Sequence, residues 1–332
     1  MNPPIPVVIC DDSSLARKQM SLALKNWNVD ITFAEHGLEA LEAIRQGKGD
    51  LLFLDLNMPI MDGYQVLERV QRDDLPTIVL VVSGDIQPDA HKKVKALGAI
   101  DFIQKPINVD TISDVLHSYG LLNELAPDQS GSVPPFQTAI DLKSYYQEIA
   151  NVAMGRAGDR LARLLKAFVH LPIPLVDEMS QPYFKDLLQS HISNQSSSIV
   201  TQGFIGAGIA GEALLVFSQS SIEDVAALLK YEGTLDDEAE KGLLIDLANV
   251  LSGAFLHSLA NQLDISFSQS PPVILTMHGQ APIIEETVST WTKTLSIEIR
   301  YEIASLNISC DLLVLFSEDS LDALNKRVRY FE

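Results

Sequence analysis

Five short runs of apolar and β-branched residues, at 5–10, 29–34, 50–55, 77–82 and 100–104, punctuate the first third of this 332-residue chain. Amphipathic stretches near 14–26, 37–47, 63–71, 88–97 and 108–119 separate them. Strands that are apolar on both faces and alternate with helices pair side by side under helical cover. Residues 1–122 are therefore expected to form an α/β doubly wound five-stranded parallel sheet. Active crevices of such sheets lie beyond the carboxyl ends of the strands, where Asp11, Asp12, Asp55, Ser83 and Lys105 all fall.

Residues 123–137, NELAPDQSGSVPPFQ, hold three prolines with Gly, Ser and Gln and no hydrophobic period, which marks a linker. The remainder, 138–332, contains an internal repeat over about 138–236 and 237–332. Lys143, Ala150, Asn151, Gly155, Leu161, Ala162 and Pro174 recur 98 residues later as Lys241, Ala248, Asn249, Gly253, Leu259, Ala260 and Pro272. LLVFSQSS at 214–221 recurs as LVLFSEDS at 313–320, an offset of 99. Each copy reads as a long helix, then strands, then a shorter terminal helix. Two copies predict an α+β domain with pseudo-twofold symmetry, with the alternating segments 196–205, 212–218, 295–304 and 308–317 as strands of a shared antiparallel sheet.

Three carboxylates, Asp11, Asp12 and Asp55, meet at one crevice and repel one another unless a hard cation neutralises them. Mg²⁺ suits an oxygen cage completed by water and phosphate. Acids at strand ends also serve as ordinary helix caps, and Ser13 or Ser14 could cap the first helix alone. Capping does not account for a hydroxyl donor at Ser83 and an ammonium at Lys105, both suited to phosphoryl oxygens.

The pair Asp11-Asp12, the segment DLNMPIMDG at 55–63, Ser83-Gly84 and Lys105-Pro106 match the CheY-like receiver family in spacing over essentially this whole region. The resemblance implies phosphorylation of Asp55 by a partner histidine kinase. It implies Mg²⁺ held by Asp11, Asp12, Asp55 and the Asn57 carbonyl, a conformational switch of Ser83 with Phe102, and a cis peptide at Pro106.

In the second half, helical spacing projects Ser144, Glu148 and Asn151 together, and likewise Gly242, Asp246 and Asn249. One such E-x-x-N is usually a solvated helix face. Two at the same offset, each followed by a proline 23 residues after its asparagine (Pro174, Pro272), point to a duplicated site. The pattern S-x3-E-x2-N-x22-P is similar to that of the CheC family of CheY-phosphate phosphatases, over roughly 138–332. The resemblance implies a phosphorylated CheY-type receiver as substrate. The asparagines would orient an in-line water without adding negative charge, and the carboxylates would pair with the incoming receiver's lysine. Glu148, Asn151, Asp246 and Asn249 are the catalytic candidates. The first copy has the full motif and is expected to carry most of the activity. A non-catalytic module that docks phosphorylated receivers or other chemotaxis proteins is the rival reading.

The net charge of −20 comprises 11 basic against 17 acidic residues in 1–122 and 13 against 27 in 123–332, which disfavours nucleic-acid binding by either half. Cys10 and Cys310 lie in apolar runs, as expected of buried thiols in a reducing compartment. No apolar run approaches the ~20 residues that cross a bilayer, so the expected location is cytoplasmic, without membrane insertion. GAGIAG at 206–211 precedes a strand-like segment, which makes it a glycine-rich turn rather than a dinucleotide loop. The seven histidines show no metal-ligand spacing, and no G-x-S-x-G elbow is present.

Overall fold

The computed structural model describes residues 3–119, 141–166, 168–170, 172–193, 197–218, 222–277, 292–303 and 308–328. The chain divides into two compact units, Met1–Glu148 and Ile149–Glu332. The linker expected over 123–137 lies outside the described residues.

In the first unit, β1 (Ile5–Cys10), β2 (Val29–Ala34), β3 (Leu51–Leu54), β4 (Ile78–Ser83) and β5 (Asp101–Gln104) alternate with five helices. These are α1 (Ser14–Ala23), α2 (Gly37–Arg45), α3 (Gly63–Arg72), α4 (Pro88–Ala96) and α5 (Val109–Ser118). The strands form one parallel sheet in the order β2-β1-β3-β4-β5. Alternate residues feed separate cores: Val8, Cys10, Leu52 and Leu54 on one face, Val7, Ile9, Leu51 and Phe53 on the other. Burial on both faces is why these strands read as unbroken apolar runs.

A long helix, α6 (Leu142–Leu165), begins in the first unit and continues into the second. The second unit carries one antiparallel sheet in the order β10-β7-β8-β12-β11-β6, with β9 (Ser268–Gln269) also pairing with β7. Its strands are β6 (Leu175–Ser180), β7 (Ser197–Gly206), β8 (Ile209–Ser218), β10 (Val273–Thr276), β11 (Lys293–Ile303) and β12 (Ile308–Phe316). The four strands expected from alternation are present. GAGIAG forms the β7–β8 hairpin, whose two turn residues, Ala207 and Gly208, both have positive φ (51° and 78°), the geometry that matches strand twist.

One element departs from the sequence expectation. A 13-residue helix, α7 (Gln181–Ser193), separates β6 from β7 in the first copy, and its Phe184 and Leu188 cover the sheet beside Ile199, Leu214 and Val216. Apolar residues near it fall into short clusters, so its period is weak in the sequence. The long helix expected in the second copy is α9 (Asp237–Gln262), which follows α8 (Ile222–Leu229). Among the described residues it is the one helix long and apolar enough to cross a membrane, yet 61% of that apolar window is buried inside the protein. Leu243, Leu247, Leu251 and Phe255 face the core, and α9 packs on β7, β8 and β10. It is a core helix whose apolar run is broken only by small and polar side chains. Asp236 caps it by accepting from the Ala239 N–H (2.9 Å), and Asp237, Glu238 and Glu240 complement its dipole. A 3-10 turn at Glu318–Ser320 and α10 (Leu321–Val328) complete the described fold.

Candidate functional site

The backbone ladder of the parallel sheet runs one residue past its strands, and this fixes the chemistry-bearing side chains. The N–H of Asp55 donates to Cys10 O (2.9 Å), that of Asp11 to Ala34 O (3.1 Å), and that of Lys105 to Ser83 O (3.0 Å). Residues from four separate strand ends thereby converge. Behind Asp55 the chain doubles back so tightly that a Cβ on Gly63 would lie 2.3 Å from Asp55 O, so glycine is required there. The Gly63 N–H donates to Leu56 O (2.9 Å), closing the loop that shapes the acceptor.

Lys105, 2% exposed, lies 2.7 Å from Asp11 Oδ2, 3.2 Å from Asp55 Oδ1 and 3.6 Å from Glu148 Oε1. One ammonium thus faces three carboxylates of the first unit, with Asp12 as a fourth acid nearby. Burial raises the Asp55 carboxyl well above its usual range; Lys105 opposes this, while Asp11, Asp12 and Glu148 push it further. Burial likewise raises Asp12 to about 7, with Asp11 adding to the shift against Lys105. Burial also raises Glu148, again against the pull of Lys105. Burial alone would lower Lys105, but Asp11, Asp55 and Glu148 hold it well above the ordinary lysine value.

The surplus of negative charge is what a divalent cation would balance. One carboxylate oxygen from each of Asp11, Asp12 and Asp55 lies within 4.8 Å of the others, and Asp12 Oδ1 is shielded from solvent with no hydrogen-bond partner. Hard oxygen donors with an orphaned acceptor fit Mg²⁺. Asp11 Oδ1 accepts from the Ser13 N–H (2.9 Å), and Asp55 Oδ2 from the Asn57 N–H (2.8 Å), so each acid is oriented by its own loop.

Arg17 is a contributor that the sequence reading passed over. Its Nη1 donates to the Asp11 and Asp12 carbonyls (2.7 and 3.2 Å), and its Nη2 pairs with Glu35 (2.7 Å), which clamps the acidic loop to α1. The available signal was a basic residue on an otherwise buried helix face, one turn beyond the acid pair.

Ser83 is buried, and its Oγ accepts from the Asp85 N–H (3.2 Å). Phe102 is half-buried, its ring 4.3 Å from that of His91. The Lys105–Pro106 peptide is cis, as the family resemblance implies. Cys10 and Cys310 are buried free thiols, both raised above the usual thiol value by burial, which fits the inert role expected of them.

Both carboxylate/carboxamide triplets fall inside continuous helices, Ser144, Glu148 and Asn151 on α6, Gly242, Asp246 and Asn249 on α9. Their settings differ. Glu148 is buried within the first unit, and its Oε2 has no hydrogen-bond partner. Asn151 is half-buried, whereas Asp246 and Asn249 are exposed. Beneath Asn249 lies a second residue missed by the sequence reading. Gln202 of β7, 2% exposed, donates from Nε2 to Asn249 Oδ1 (3.1 Å) and to Ser270 O (2.9 Å). A polar residue among the apolar positions of a central strand was the only signal for it.

The family match lies within the first unit, whereas some similar proteins cover more of the chain than that unit's 148 residues. Residues 7–117 match the response regulator receiver domain, so the chain carries an N-terminal CheY-like receiver domain. Over 172 residues it is 32% identical to protein-glutamate methylesterase/protein-glutamine glutaminase 3 of Geobacter sulfurreducens, a match covering 50% of this chain and 44% of that protein. The chain therefore spans less than half the length of this curated relative. Among solved structures, Vibrio cholerae chemotaxis protein CheY4 is 28% identical, with a TM-score of 0.32 over 34% of this chain and 95% of that one. Thermotoga maritima FliY is 21% identical, with a TM-score of 0.43 over 59% of this chain and 100% of that one.

Proposed function

We propose that this chain, a two-component signalling protein with an N-terminal receiver, hydrolyses the aspartyl phosphate of CheY-type receivers in chemotaxis by means of a CheC-like C-terminal domain. The observation that carries the reading is the recurrence of a carboxylate and a carboxamide, three residues apart, at a 98-residue offset on the two long helices. The strand order supports a duplicated origin. Exchanging β6 with β10, β7 with β11 and β8 with β12 turns the order β10-β7-β8-β12-β11-β6 into its own reverse.

In the receiver, Asp55 accepts a phosphoryl group from a histidine kinase or a phosphotransfer protein. Asp11, Asp12, Asp55 and the Asn57 carbonyl would hold Mg²⁺, which would offset negative charge at the phosphoryl group. Lys105 and Ser83 meet the phosphoryl oxygens, and Ser83 with Phe102 passes the phosphorylation state on. On the two long helices, Glu148, once released from Lys105 of its own chain, and Asp246 pair with the lysine of an incoming phosphorylated receiver, and Asn151 and Asn249 orient water in line with its acyl phosphate. The P–O bond to water forms as the P–O bond to the aspartyl carboxylate breaks. That carboxylate departs with the electron pair, water's proton passes to solvent, and inorganic phosphate is released. A mixed anhydride has so good a leaving group that no general base is needed, and positioning supplies most of the rate gain.

The rival, a docking module without hydrolysis, draws on the altered second motif, with Gly242 in place of serine and the shorter Asp246 in place of glutamate. The deciding measurement is the decay of a purified phosphorylated CheY-type receiver with and without the full chain. Phosphatase action predicts faster decay that is lost in the Asn151→Ala/Asn249→Ala double variant. Unchanged decay together with a stable complex would establish the docking reading instead.

A further inference from the structure

We propose that Gln202 is a positioning residue for the second site, setting which end of the Asn249 carboxamide faces an incoming phosphoryl group. The proposal rests on the phosphatase reading and adds to it a residue outside the duplicated motif.

A side-chain amide has two faces of similar shape and opposite hydrogen-bonding character, so its useful orientation must be imposed by its surroundings. At this site the imposition starts from a backbone carbonyl. Ser270 is tied to β7 twice, its N–H donating to Gly203 O (2.9 Å) and its Oγ accepting from the Gly203 N–H (3.0 Å). Its carbonyl is therefore fixed in place, and a carbonyl only accepts. The Gln202 group 2.9 Å away must be the NH2 end. The other end, Oε1, then faces the Ser252 hydroxyl, which is fully buried and donates to it. With both ends of Gln202 assigned, its second N–H points to Asn249 and requires the oxygen of that amide to turn inward. Asn249 is left presenting its NH2 group and the remaining lone pair of Oδ1 to solvent, the donor and acceptor needed to hold water beside a phosphoryl oxygen.

This device is not a by-product of repeated sheet packing. Gln202 pairs with Ala213, and Ile299 pairs with Leu312, the residue 99 positions beyond Ala213. Isoleucine thus fills the corresponding place in the other copy. Where the motif ranks the first copy higher, the structure supplies the second with a built-in orientation for its asparagine.

The test uses the full chain in an Asn151→Ala background, so that turnover reports the second site, with a phosphorylated CheY-type receiver as substrate. Gln202→Met keeps the bulk and removes the relay, and Gln202→Glu replaces the donor by an acceptor, which would turn the Asn249 amide round. Both are expected to lower kcat by roughly 10-fold to 100-fold with KM changed by less than about 2-fold, as a misoriented water requires. In the chain that keeps Asn151, where the first site still reports, adding Gln202→Met to Asn249→Ala should cost nothing further. A purely structural glutamine would give undiminished turnover in the folded variants, or a loss that persists beside Asn249→Ala, and either result overturns the proposal. Side-chain amide exchange supplies a reading independent of turnover. A protected Gln202 NH2 beside a fast-exchanging Asn249 NH2 supports the orientation, and the converse overturns it. If the wild-type chain leaves decay unchanged, the phosphatase reading itself falls, and with it any catalytic role for Gln202, while the exchange data still decide the amide geometry.

Discussion

The receiver pocket and the exposed face of α9 treat charge in opposite ways. Asp11, Asp55, Lys105 and Glu148 are each at most 6% exposed, so the Asp55 carboxyl feels Asp11, Asp12 and Glu148 together, and the cluster has one ammonium for several acids. Asp246 and Asn249 stand in solvent, and Asn249 is held from below by the buried Gln202 amide. A buried, mutually dependent cluster responds strongly to phosphate, metal and pH, because a change in one charge is felt undamped by its neighbours. An exposed pair on a rigid helix is insulated from such changes by water and suits a surface that meets a partner. The contrast fits a sensor in the first unit and an effector in the second.

The largest expected effect tests the sensor. Asp55→Asn should abolish labelling by a small phosphodonor with Mg²⁺, because Asp55 alone combines the end of β3 with the acid pair and Lys105. Equal labelling of variant and wild type would break the assignment. Asp246→Asn, at the exposed site, should leave labelling intact and change stability by less than about 0.5 kcal/mol.

Next in size is Gly63→Ala. Its Cβ would meet the Asp55 carbonyl oxygen at 2.3 Å and Leu56 Cα at 2.8 Å, both backbone atoms with little freedom to retreat. The expected cost is about 3 kcal/mol in denaturant unfolding, with impaired labelling. A neutral result would mean that the acceptor loop is looser than the buried pocket requires.

The smallest effect concerns pH. The folded-state carboxyl of Asp12 lies near 7, above its ordinary value of 3.8. A raised folded value favours the protonated form, so this contribution to stability is complete below about pH 4 and is lost as pH rises through 7. Without Mg²⁺, the melting temperature of the receiver transition should fall by a few degrees between pH 5 and 8. Added Mg²⁺ should stabilise it more at pH 8 than at pH 5. A Mg²⁺ effect independent of pH would separate the metal from these carboxylates.

Much of this was legible in the sequence because local pattern and global fold agree. All five receiver strands lie within a residue or two of the apolar runs, since burial on both faces leaves no room for polar interruption. Asp11, Asp12, Asp55, Ser83 and Lys105 could be placed together because strand ends are set by the alternation itself. Helix α7 was not legible, since its few core contacts leave only a faint period.

Three matters were decided by tertiary structure alone. Arg17 clamps the acid loop through carbonyls that carry no sequence signature. Glu148 lies beside Lys105, 43 residues away along the chain, and is buried while its counterpart Asp246 is exposed, although the two share one motif. Gln202 reaches Asn249 and Ser270 across 47 and 68 residues of chain. Periodicity and motif spacing record which face of an element is buried. They hold no record of which polar group on another element completes a hydrogen bond, because that depends on how the elements pack in three dimensions.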